Sequence, residues 1–266
     1  MISSQEGRAH NAKGAIVLED LAKPNCPTCK GLGLYKVSVE LNTYDRCACV
    51  LEALKKRRSE RMLQDAGMSQ DLTAMTFESF QVACTAQRNF LSRTQAWIEQ
   101  PLGTLIFCGS NGCGKTHLAR AALNTWLASG RSGGLINLPY FFGRVRASYA
   151  QEETPDLMAL TANAELLVID ELGTEYHGRT DWAKAAVYEL INFRYSADLP
   201  TIITTNLGSR NGKADRGTLE KDLNRLYSLE YSNAITSRLL DRGKTEILFF
   251  NSIPDYRLLG LTEASP

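Results

Sequence analysis

Short apolar runs alternate with longer helix-forming stretches from Thr76 to the last part of the chain. The runs have the length of buried strands, and the stretches between them are long enough to form helices. The predicted strands are Thr104–Cys108, Leu135–Leu138, Leu166–Ile169, Thr201–Thr205 and Glu246–Phe250, and the predicted helices lie around 85–99 and from Gly114 onwards. Strands that alternate with helices usually pair in parallel. The pattern therefore predicts an α/β domain whose five-stranded, mostly parallel sheet is flanked by helices.

The segment before this domain has a different character. Residues 1–20 are polar and are predicted to form a flexible tail. Residues 21–66 begin with cysteines among helix-breaking prolines and glycines and end in a basic helix around Lys55–Arg58. We therefore expect an N-terminal module at 21–66, a linker at 67–75 and the α/β domain at 76–266.

Composition restricts the classes of function. The chain has 266 residues, 44% of them hydrophobic, which is enough for one large core and a small second module. Its 30 basic and 29 acidic side chains nearly cancel, so net charge neither favours nor excludes nucleic-acid binding. No apolar run approaches the roughly 20 residues of a membrane span, and the start of the chain does not resemble an export signal. We therefore expect a cytoplasmic protein that makes no membrane contact and keeps its seven cysteines reduced.

A phosphate-binding motif follows the first predicted strand of the α/β domain. Residues Gly109–Thr116 read GSNGCGKT, which is the P-loop pattern, and the amphipathic segment His117–Ala128 comes next. Backbone amides at the glycines can approach phosphates, Lys115 can neutralise the outer phosphates, and the Thr116 hydroxyl can hold magnesium. A chance match in a glycine-rich turn is the alternative, and the strand-to-helix context disfavours it. The predicted nucleotide-binding residues are Gly109, Ser110, Asn111, Gly112, Cys113, Gly114, Lys115, Thr116 and His117.

Two adjacent carboxylates end the predicted strand Leu166–Ile169. Asp170 is expected to hold the magnesium ion, and Glu171 is expected to orient and polarise the attacking water. An apolar strand can also end in acids simply because it meets solvent there. The P-loop upstream favours the hydrolytic interpretation.

Two further polar residues are candidates for the same reaction. Asn206 ends the strand Thr201–Thr205, and its position is similar to the sensor-1 position of AAA+ ATPases, although turn-forming asparagines are common at strand ends. Arg238 lies in a Ser-Arg-Leu segment similar to the one in which AAA+ subunits carry an arginine finger, a residue that reaches the ATP of a neighbouring subunit. Arg242 is a second candidate for the finger, and a surface ion pair is the alternative role of Arg238.

Four cysteines form two close pairs near the N-terminus: Cys26 with Cys29, and Cys47 with Cys49. This spacing is close to that of four-cysteine zinc sites, except that only one residue separates the second pair. A segment with so few core residues also needs a crosslink such as a metal ion. Zinc is the predicted metal. An iron–sulfur cluster uses the same thiolates and remains the alternative.

Several segments together resemble one protein family. They are the two cysteine pairs, Thr76–Phe80, Gly114–Leu118, Asp170–Gly173 and Ile203–Leu207, and they follow one another in the order found in DnaC/DnaI-type replicative helicase loaders. The likeness extends from about residue 24 to the last predicted strand. The chain resembles the IstB transposition helpers more distantly. Asp181-Trp182 and Ile191–Tyr195 also look like this family, which makes Arg194 a functional candidate, with a helix-surface arginine as the alternative.

The resemblance implies an AAA+ fold with little or no helical lid, no sensor-2 arginine, and ATP with magnesium as the cofactors. It also implies that the zinc module binds a hexameric, DnaB-type replicative DNA helicase, and that the ATPase domain binds single-stranded DNA within an oligomer. ATP binding would organise loader subunits on the helicase at the initiation of bacterial DNA replication. Hydrolysis through Asp170, Glu171 and the Arg238 of a neighbouring subunit would reset them.

Other interpretations stay open at this point. The stretch Pro139–Arg146 mixes aromatics with arginines, which suits single-stranded DNA as well as an amphipathic helix with buried aromatics. The basic run Lys55–Arg58 is typical of a solvated helix face but could also contact DNA or an acidic helicase surface. The alternative functions are an IstB-like helper that directs a transposase, a metabolic kinase, and an adaptor that binds ATP without appreciable turnover.

Overall fold

The computed structural model describes residues 18–38, 41–54, 57, 74–149, 164–174, 182–227, 231–251, 253 and 255–259. For residues 144–149 and 258–259 it describes the backbone alone. The chain forms two compact units, residues 1–57 and residues 58–266. Several predicted features lie outside the described residues: most of the flexible tail 1–20, most of the linker 67–75, the basic residues Lys55, Lys56 and Arg58, and Asp181.

The N-terminal unit contains a hairpin that the sequence analysis does not predict. A short 3-10 helix at Glu19–Leu21 precedes two antiparallel strands, β1 at Leu34–Ser38 and β2 at Thr43–Arg46, and residues 48–54 are helical. The buried core of this unit consists of Leu21, Cys29, Cys47, Cys49 and Val50. A core of this size supplies little hydrophobic stabilisation. The stability of the unit therefore depends on its cysteines, whether or not they bind a metal ion.

A parallel sheet organises the second unit. Its strands are β3 (Thr104–Gly109), β4 (Gly133–Asn137), β5 (Leu166–Leu172), β6 (Thr201–Thr205) and β9 (Thr245–Phe250), and a small antiparallel ribbon of β7 (Ser209–Arg210) and β8 (Lys213–Ala214) lies between the last two along the chain. The strand order is β4-β5-β6-β3-β9, and every neighbouring pair is parallel. The predicted five-stranded α/β fold is confirmed.

Helices cover both faces of this sheet. They are α1 (Thr85–Glu99), α2 (Lys115–Ala128), α3 (Leu138–Tyr149), α4 (Trp182–Ser196), α5 (Arg216–Leu226), α6 (Ser232–Leu239) and α7 (Tyr256–Leu259). Successive strand residues point to opposite faces, so Leu105 and Phe107 join the core under α1 and α2, whereas Ile106 and Cys108 join the core under α3 to α6. Strands buried on both faces explain why the sequence shows continuous apolar runs.

Parallel pairing brings the ends of four strands to one edge of the sheet. Asn137 at the end of β4 pairs with Asp170 in β5, and Thr205 at the end of β6 pairs with Cys108 in β3. The P-loop begins at the next residue, Gly109. Polar residues that are far apart in the sequence therefore converge at this edge, which is where open α/β sheets usually bind ligands.

Two phenylalanines of the aromatic stretch Pro139–Arg146 belong to the core. Phe141 and Phe142 are each only 2% exposed, and they point from α3 into the core between this helix and the sheet. Tyr140 is partly exposed, and the side chains of Arg144 and Arg146 lie outside the described residues. The buried phenylalanines are those of an amphipathic helix, so they are not available to stack on bases.

Arg194 is neither a surface residue nor part of the sheet edge. It is 1% exposed, and its guanidinium donates hydrogen bonds to the Ala164 carbonyl (2.8 Å), the Pro200 carbonyl (2.6 Å) and the Thr201 hydroxyl (2.9 Å). Burial lowers its pKa to about 9. The helix-surface interpretation is wrong: Arg194 joins α4 to the start of β6 and to the residues before β5.

We expect Arg194→Met to lower the free energy of unfolding by about 2–5 kcal/mol, because it leaves buried acceptors without a donor. Urea denaturation measures the loss. The matched control is Arg93→Met, at a partly exposed ion pair with Glu246, where the loss should stay below about 1 kcal/mol. Equal losses in the two variants would contradict the structural role of Arg194.

Candidate nucleotide site

The P-loop passes from β3 into α2 in a conformation that requires glycine. Gly112 and Gly114 have φ angles of 68° and 98°, in the left-handed region that favours glycine. At Gly109, a Cβ would lie 2.7 Å from Phe250 Cβ, so a side chain does not fit there. The loop ends at the first turn of α2, which starts at Lys115. Backbone amides and the positive end of the helix are thereby presented to the same space, as an anion site requires.

Lys115 connects the loop to the end of β6. Its ammonium donates to the carbonyls of Gly109 (2.9 Å) and Ser110 (2.6 Å) and to Asn206 Oδ1 (2.9 Å). The Asn206 amide in turn donates to Asn111 Oδ1 at 2.8 Å. The structure thus brings together two predicted site residues that are 91 positions apart. The same donors have the charge and placement to bind phosphate oxygens.

Asp170 is a buried carboxylate, 3% exposed, with two hydroxyl donors. Thr116 donates to its Oδ1 at 2.9 Å and Thr204 donates to the same oxygen at 2.6 Å. Burial raises the pKa of Asp170, and the two hydrogen bonds act in the opposite direction. A hydroxyl and a carboxylate in contact at a phosphate-binding loop are hard oxygen ligands, so these residues fit magnesium, which binds through few protein oxygens together with phosphates.

Glu171 has an unusual backbone conformation, and its carboxylate is already hydrogen-bonded. Its φ is 64°, which is strained for a residue with a side chain, and its backbone amide donates to Thr204 Oγ1 at 3.0 Å. Its Oε2 accepts from Asn137 Nδ2 at 3.0 Å. The sequence analysis overlooks both Asn137 and Thr204. Asn137 could have been found, because it is the single polar residue in the predicted strand Leu135–Leu138.

These residues line a cavity of about 530 Å³. Asn137, Asp170, Glu171 and Asn206 lie on its wall together with the P-loop residues from Asn111 to His117. Met75, Ser79, Phe80 and Gln81 also contribute to it. The volume is in the range of small-ligand and cofactor sites. The site therefore has the size, the cation and the backbone geometry for a nucleoside triphosphate.

Comparison with known proteins agrees with this geometry. A family model described as IstB-like ATP binding protein matches residues 36–214. The chain belongs to the IstB-like ATP-binding protein family. The matched range includes Lys115, Asp170 and Asn206 and ends before Arg238.

Individual relatives of this IstB-like protein include helicase loaders. The replicative helicase loader DnaC of Escherichia coli is 27% identical over 166 residues, which are 60% of this chain and 67% of DnaC. A crystal structure of the DnaC helicase loader superposes with a TM-score of 0.57 at 22% identity and covers 68% of this chain and 98% of its own. A crystal structure of DnaI gives a TM-score of 0.53 at 17% identity, covering 70% and 95%. The resemblance to the IstB/DnaC-like group and the AAA+ fold are thus confirmed.

Arg120 is a further charged residue at the cavity of the IstB-like protein. It lies one helical turn after Thr116 and is 8% exposed, and its Nε and Nη1 have no hydrogen-bond partner among the described residues. Burial lowers its pKa, while the charges of Asp170 and Glu171 raise it. The sequence gives no signal for this residue, since an arginine within an amphipathic helix is ordinarily exposed.

His117 lies in the first turn of α2 and contacts the segment Thr76–Phe80. Its Nε2 lies 2.9 Å from the Thr76 carbonyl and 3.2 Å from Ser79 Oγ, and its ring meets Phe80 edge-on at 5.3 Å. Phe80 in turn lies against the P-loop, because a Cβ at Gly114 would be 2.7 Å from its ring. His117 thus lines the cavity but uses its imidazole to hold the Thr76–Phe80 segment against the loop.

Arg238 is not among the residues that line this cavity. Its Nη1 donates to the Ala234 carbonyl at 2.8 Å, and its guanidinium lies 5.8 Å from the ring centroids of both Tyr188 and Tyr195. Arg242 is exposed, and it makes no hydrogen bond or ion pair with the described residues around it. The structure therefore places both finger candidates away from the residues that line the nucleotide cavity.

The four N-terminal cysteines of the IstB-like protein form one cluster. Cys26 and Cys47 Sγ are 3.6 Å apart, Cys29 and Cys49 Sγ are 3.5 Å apart, and all four sulfurs lie within 4.8 Å of one another. A tetrahedral site with metal–sulfur bonds of about 2.3 Å has sulfurs about 3.8 Å apart. Backbone hydrogen bonds from Cys29 and Thr28 lower the pKa of Cys26, whereas the pKa of its neighbour Cys47 is raised, so without a metal ion one thiol of this pair ionises more readily than the other. The cluster fits a single metal ion.

In the part of the chain that the structure describes, no helix combines the length and the apolar character needed to cross a membrane.

Proposed function

We propose that this protein is an ATP-dependent helicase loader that binds a hexameric, DnaB-type replicative helicase and delivers it to single-stranded DNA at the initiation of replication. The observation that carries this proposal is the convergence of Lys115, Thr116, Asp170, Glu171 and Asn206 on one cavity in a chain similar to DnaC. These residues suit ATP hydrolysis used as a switch, since their roles are to bind phosphates and to respond to them.

Each residue has a distinct task in this scheme. Lys115 and the P-loop amides bind the phosphates, and Thr116 and Asp170 hold magnesium, which when bound neutralises charge on the phosphate oxygens. Asn206 hydrogen-bonds the terminal phosphate or the attacking water, and Glu171 orients and polarises that water. Because Asn137 holds the Glu171 carboxylate at 3.0 Å, we expect this hydrogen bond to break before Glu171 acts.

The variants Lys115→Ala and Glu171→Gln separate nucleotide binding from hydrolysis. We expect Lys115→Ala to abolish binding of a fluorescent ATP analogue, because the phosphates lose their main cation. Glu171→Gln keeps the size of the side chain and should bind normally, while ATP turnover falls by about 100-fold or more. Exposed Lys221, changed to Ala, is the control. Normal turnover in both site variants would show that the active site is misassigned.

We propose Arg238 as the arginine finger, with Arg242 as the alternative. Arg238 would leave Tyr188 and Tyr195 to reach the ATP of a neighbouring subunit, which explains why it lies away from its own cavity. Arg238→Ala alone and Glu171→Gln alone should each be nearly inactive. A mixture should regain ATPase activity, because one mixed interface combines an intact site with an intact finger. If Arg242→Ala loses activity and Arg238→Ala keeps it, the assignment is reversed.

We propose that the cysteine cluster binds one zinc ion, with an iron–sulfur cluster as the alternative. Metal analysis of protein purified without added metal should find about one zinc per chain. Cys26→Ser should lose that zinc and make the N-terminal unit sensitive to protease, because its own core is small. Cys84→Ser changes an exposed cysteine outside the cluster and should retain zinc. Stoichiometric iron with visible absorbance would establish the alternative.

Co-purification with the replicative helicase from the same source tests the function itself. We expect the full chain to bind the helicase, with ATP changing the amount bound. A truncated chain that starts at Thr76 should fail to bind, because the N-terminal unit is missing. Retained ATP binding shows that the truncated chain is folded.

An IstB-like helper that directs a transposase is the second candidate, and the match to the IstB-like family model favours it. The match begins at residue 36 and therefore lacks Cys26 and Cys29, so the complete four-cysteine cluster is not part of it and counts against this candidate. If the full chain does not bind the helicase but binds duplex DNA, that result would support the transposition helper and overturn the loader proposal.

A further inference from the structure

After its last sheet strand, the chain returns to the P-loop. β9 pairs with β3 up to Gly109, and the backbone amide of Tyr256 then donates to the Gly112 carbonyl at 3.0 Å. The Asp255 carboxylate packs directly on the loop, since a Cβ at Gly112 would lie 1.7 Å from its Oδ1. Asp255 and Tyr256 are therefore in contact with the loop that is proposed to hold the phosphates.

Tyr256 also closes the rim of the cavity. Its hydroxyl donates to Gln81 Oε1 at 2.7 Å, across 175 positions of sequence. Gln81 follows the segment that His117 and Gly114 hold against α2, so this hydrogen bond joins the two chain segments on either side of the P-loop. Both side chains line the cavity, and Tyr256 is 52% exposed, so its ring and hydroxyl are accessible from the cavity.

Arg257 adds a cation to the same rim. Its Nε donates to Asp255 Oδ1 at 3.2 Å, its side chain is 67% exposed, and it lines the cavity. An exposed ion pair of this kind contributes little stability and is readily exchanged for a stronger anion. Asp255 therefore holds Arg257 near the P-loop through a weak ion pair, and breaking this pair when an anion binds costs little free energy.

The positions of Lys115, Thr116 and Asp170 determine how a nucleotide is oriented. With its phosphates on the loop and the helix N-terminus, its ribose and base must lie away from Asp170 and Glu171. The rest of the cavity wall includes the apolar side chains of Met75 and Phe80, the polar groups of Ser79, Gln81, Gln87 and Tyr256, and the cations Arg120 and Arg257. Apolar surface with a few placed polar groups is typical of a site for a planar base.

We propose that residues 255–257 form part of the nucleotide site: Tyr256, positioned with Gln81, contacts the base or ribose, and Arg257 exchanges Asp255 for a phosphate of the bound nucleotide. This inference rests on the proposed function in one respect, the binding of ATP at the P-loop. It assigns the contact with the base or ribose to a pair of residues on opposite sides of the loop. It also gives the site a second phosphate-binding cation besides Lys115.

Two ligands separate the two roles: magnesium ATP and magnesium tripolyphosphate, which lacks the base and ribose. Affinities are measured by isothermal titration calorimetry on the full chain. Tyr256→Phe should weaken ATP about three- to tenfold and leave tripolyphosphate unchanged, because it removes one hydrogen bond at the base end. Arg257→Gln should weaken both ligands by about tenfold, because it removes a charge at the phosphates.

Three controls accompany these variants. Arg225→Gln removes an exposed arginine on α5 and should bind both ligands as the wild type does. Lys115→Ala should bind neither. The thermal unfolding midpoints without nucleotide should match the wild type, which shows that the variants are folded, and Tyr256→Leu provides a second substitution if Tyr256→Phe lowers that midpoint.

Each outcome decides the inference. The predicted pattern supports both roles. ATP affinities within twofold of wild type in the Tyr256 and Arg257 variants, alongside lost binding in Lys115→Ala, would overturn the inference and leave the ATP site intact. Equal ATP binding by Lys115→Ala and the wild type would overturn the proposed ATP site, and this inference with it.

Discussion

The hydrogen bonds to Asp170 are the constraint on which the nucleotide site depends. A carboxylate that is 3% exposed is costly unless its oxygens have donors, and here one oxygen receives both the Thr116 and the Thr204 hydroxyls. Thr116 belongs to the P-loop helix and Thr204 to β6. The buried carboxylate therefore fixes the positions of α2, β5 and β6 relative to one another, because each hydrogen bond tolerates only a small displacement. Lys115, one residue before Thr116, and Asn206, two residues after Thr204, repeat this pattern, since their side chains also join α2 to the end of β6.

The sequence predicts this architecture well because its signals are local. Glycines that must adopt positive φ, a lysine at a helix start and acids at a strand end are each recognisable within a few residues, and parallel pairing then brings them together. Gly109–Thr116, Asp170 and Asn206 are accordingly found where the pattern predicts them, and their roles in catalysis stay predictions. The five strands were predictable for a related reason: burial on both faces produces continuous apolar runs.

What could not be predicted depends on contacts between distant segments. Arg194 and Arg120 are polar residues on helices and look exposed in the sequence, but α4 and α2 turn these positions inward. Phe141 and Phe142 look equally suited to stacking on bases and to packing in a core until the direction of α3 is known. The β1–β2 hairpin has exposed residues on both faces, so it lacks the alternation by which a strand is recognised. Nothing in the sequence around Tyr256 or around Gln81 indicates that the two residues contact each other.

The return of residues 245–256 to the P-loop has a consequence for the order in which the protein folds. β9 pairs with β3, and Tyr256 reaches Gly112, so one side of the P-loop stays uncovered until β9 and Tyr256 have left the ribosome. Synthesis proceeds at roughly 5–20 residues per second, which delays this step by seconds. Bound nucleotide therefore stabilises a chain in which β9 and Tyr256 have docked on the P-loop more than one in which they have not, and it favours this late folding step.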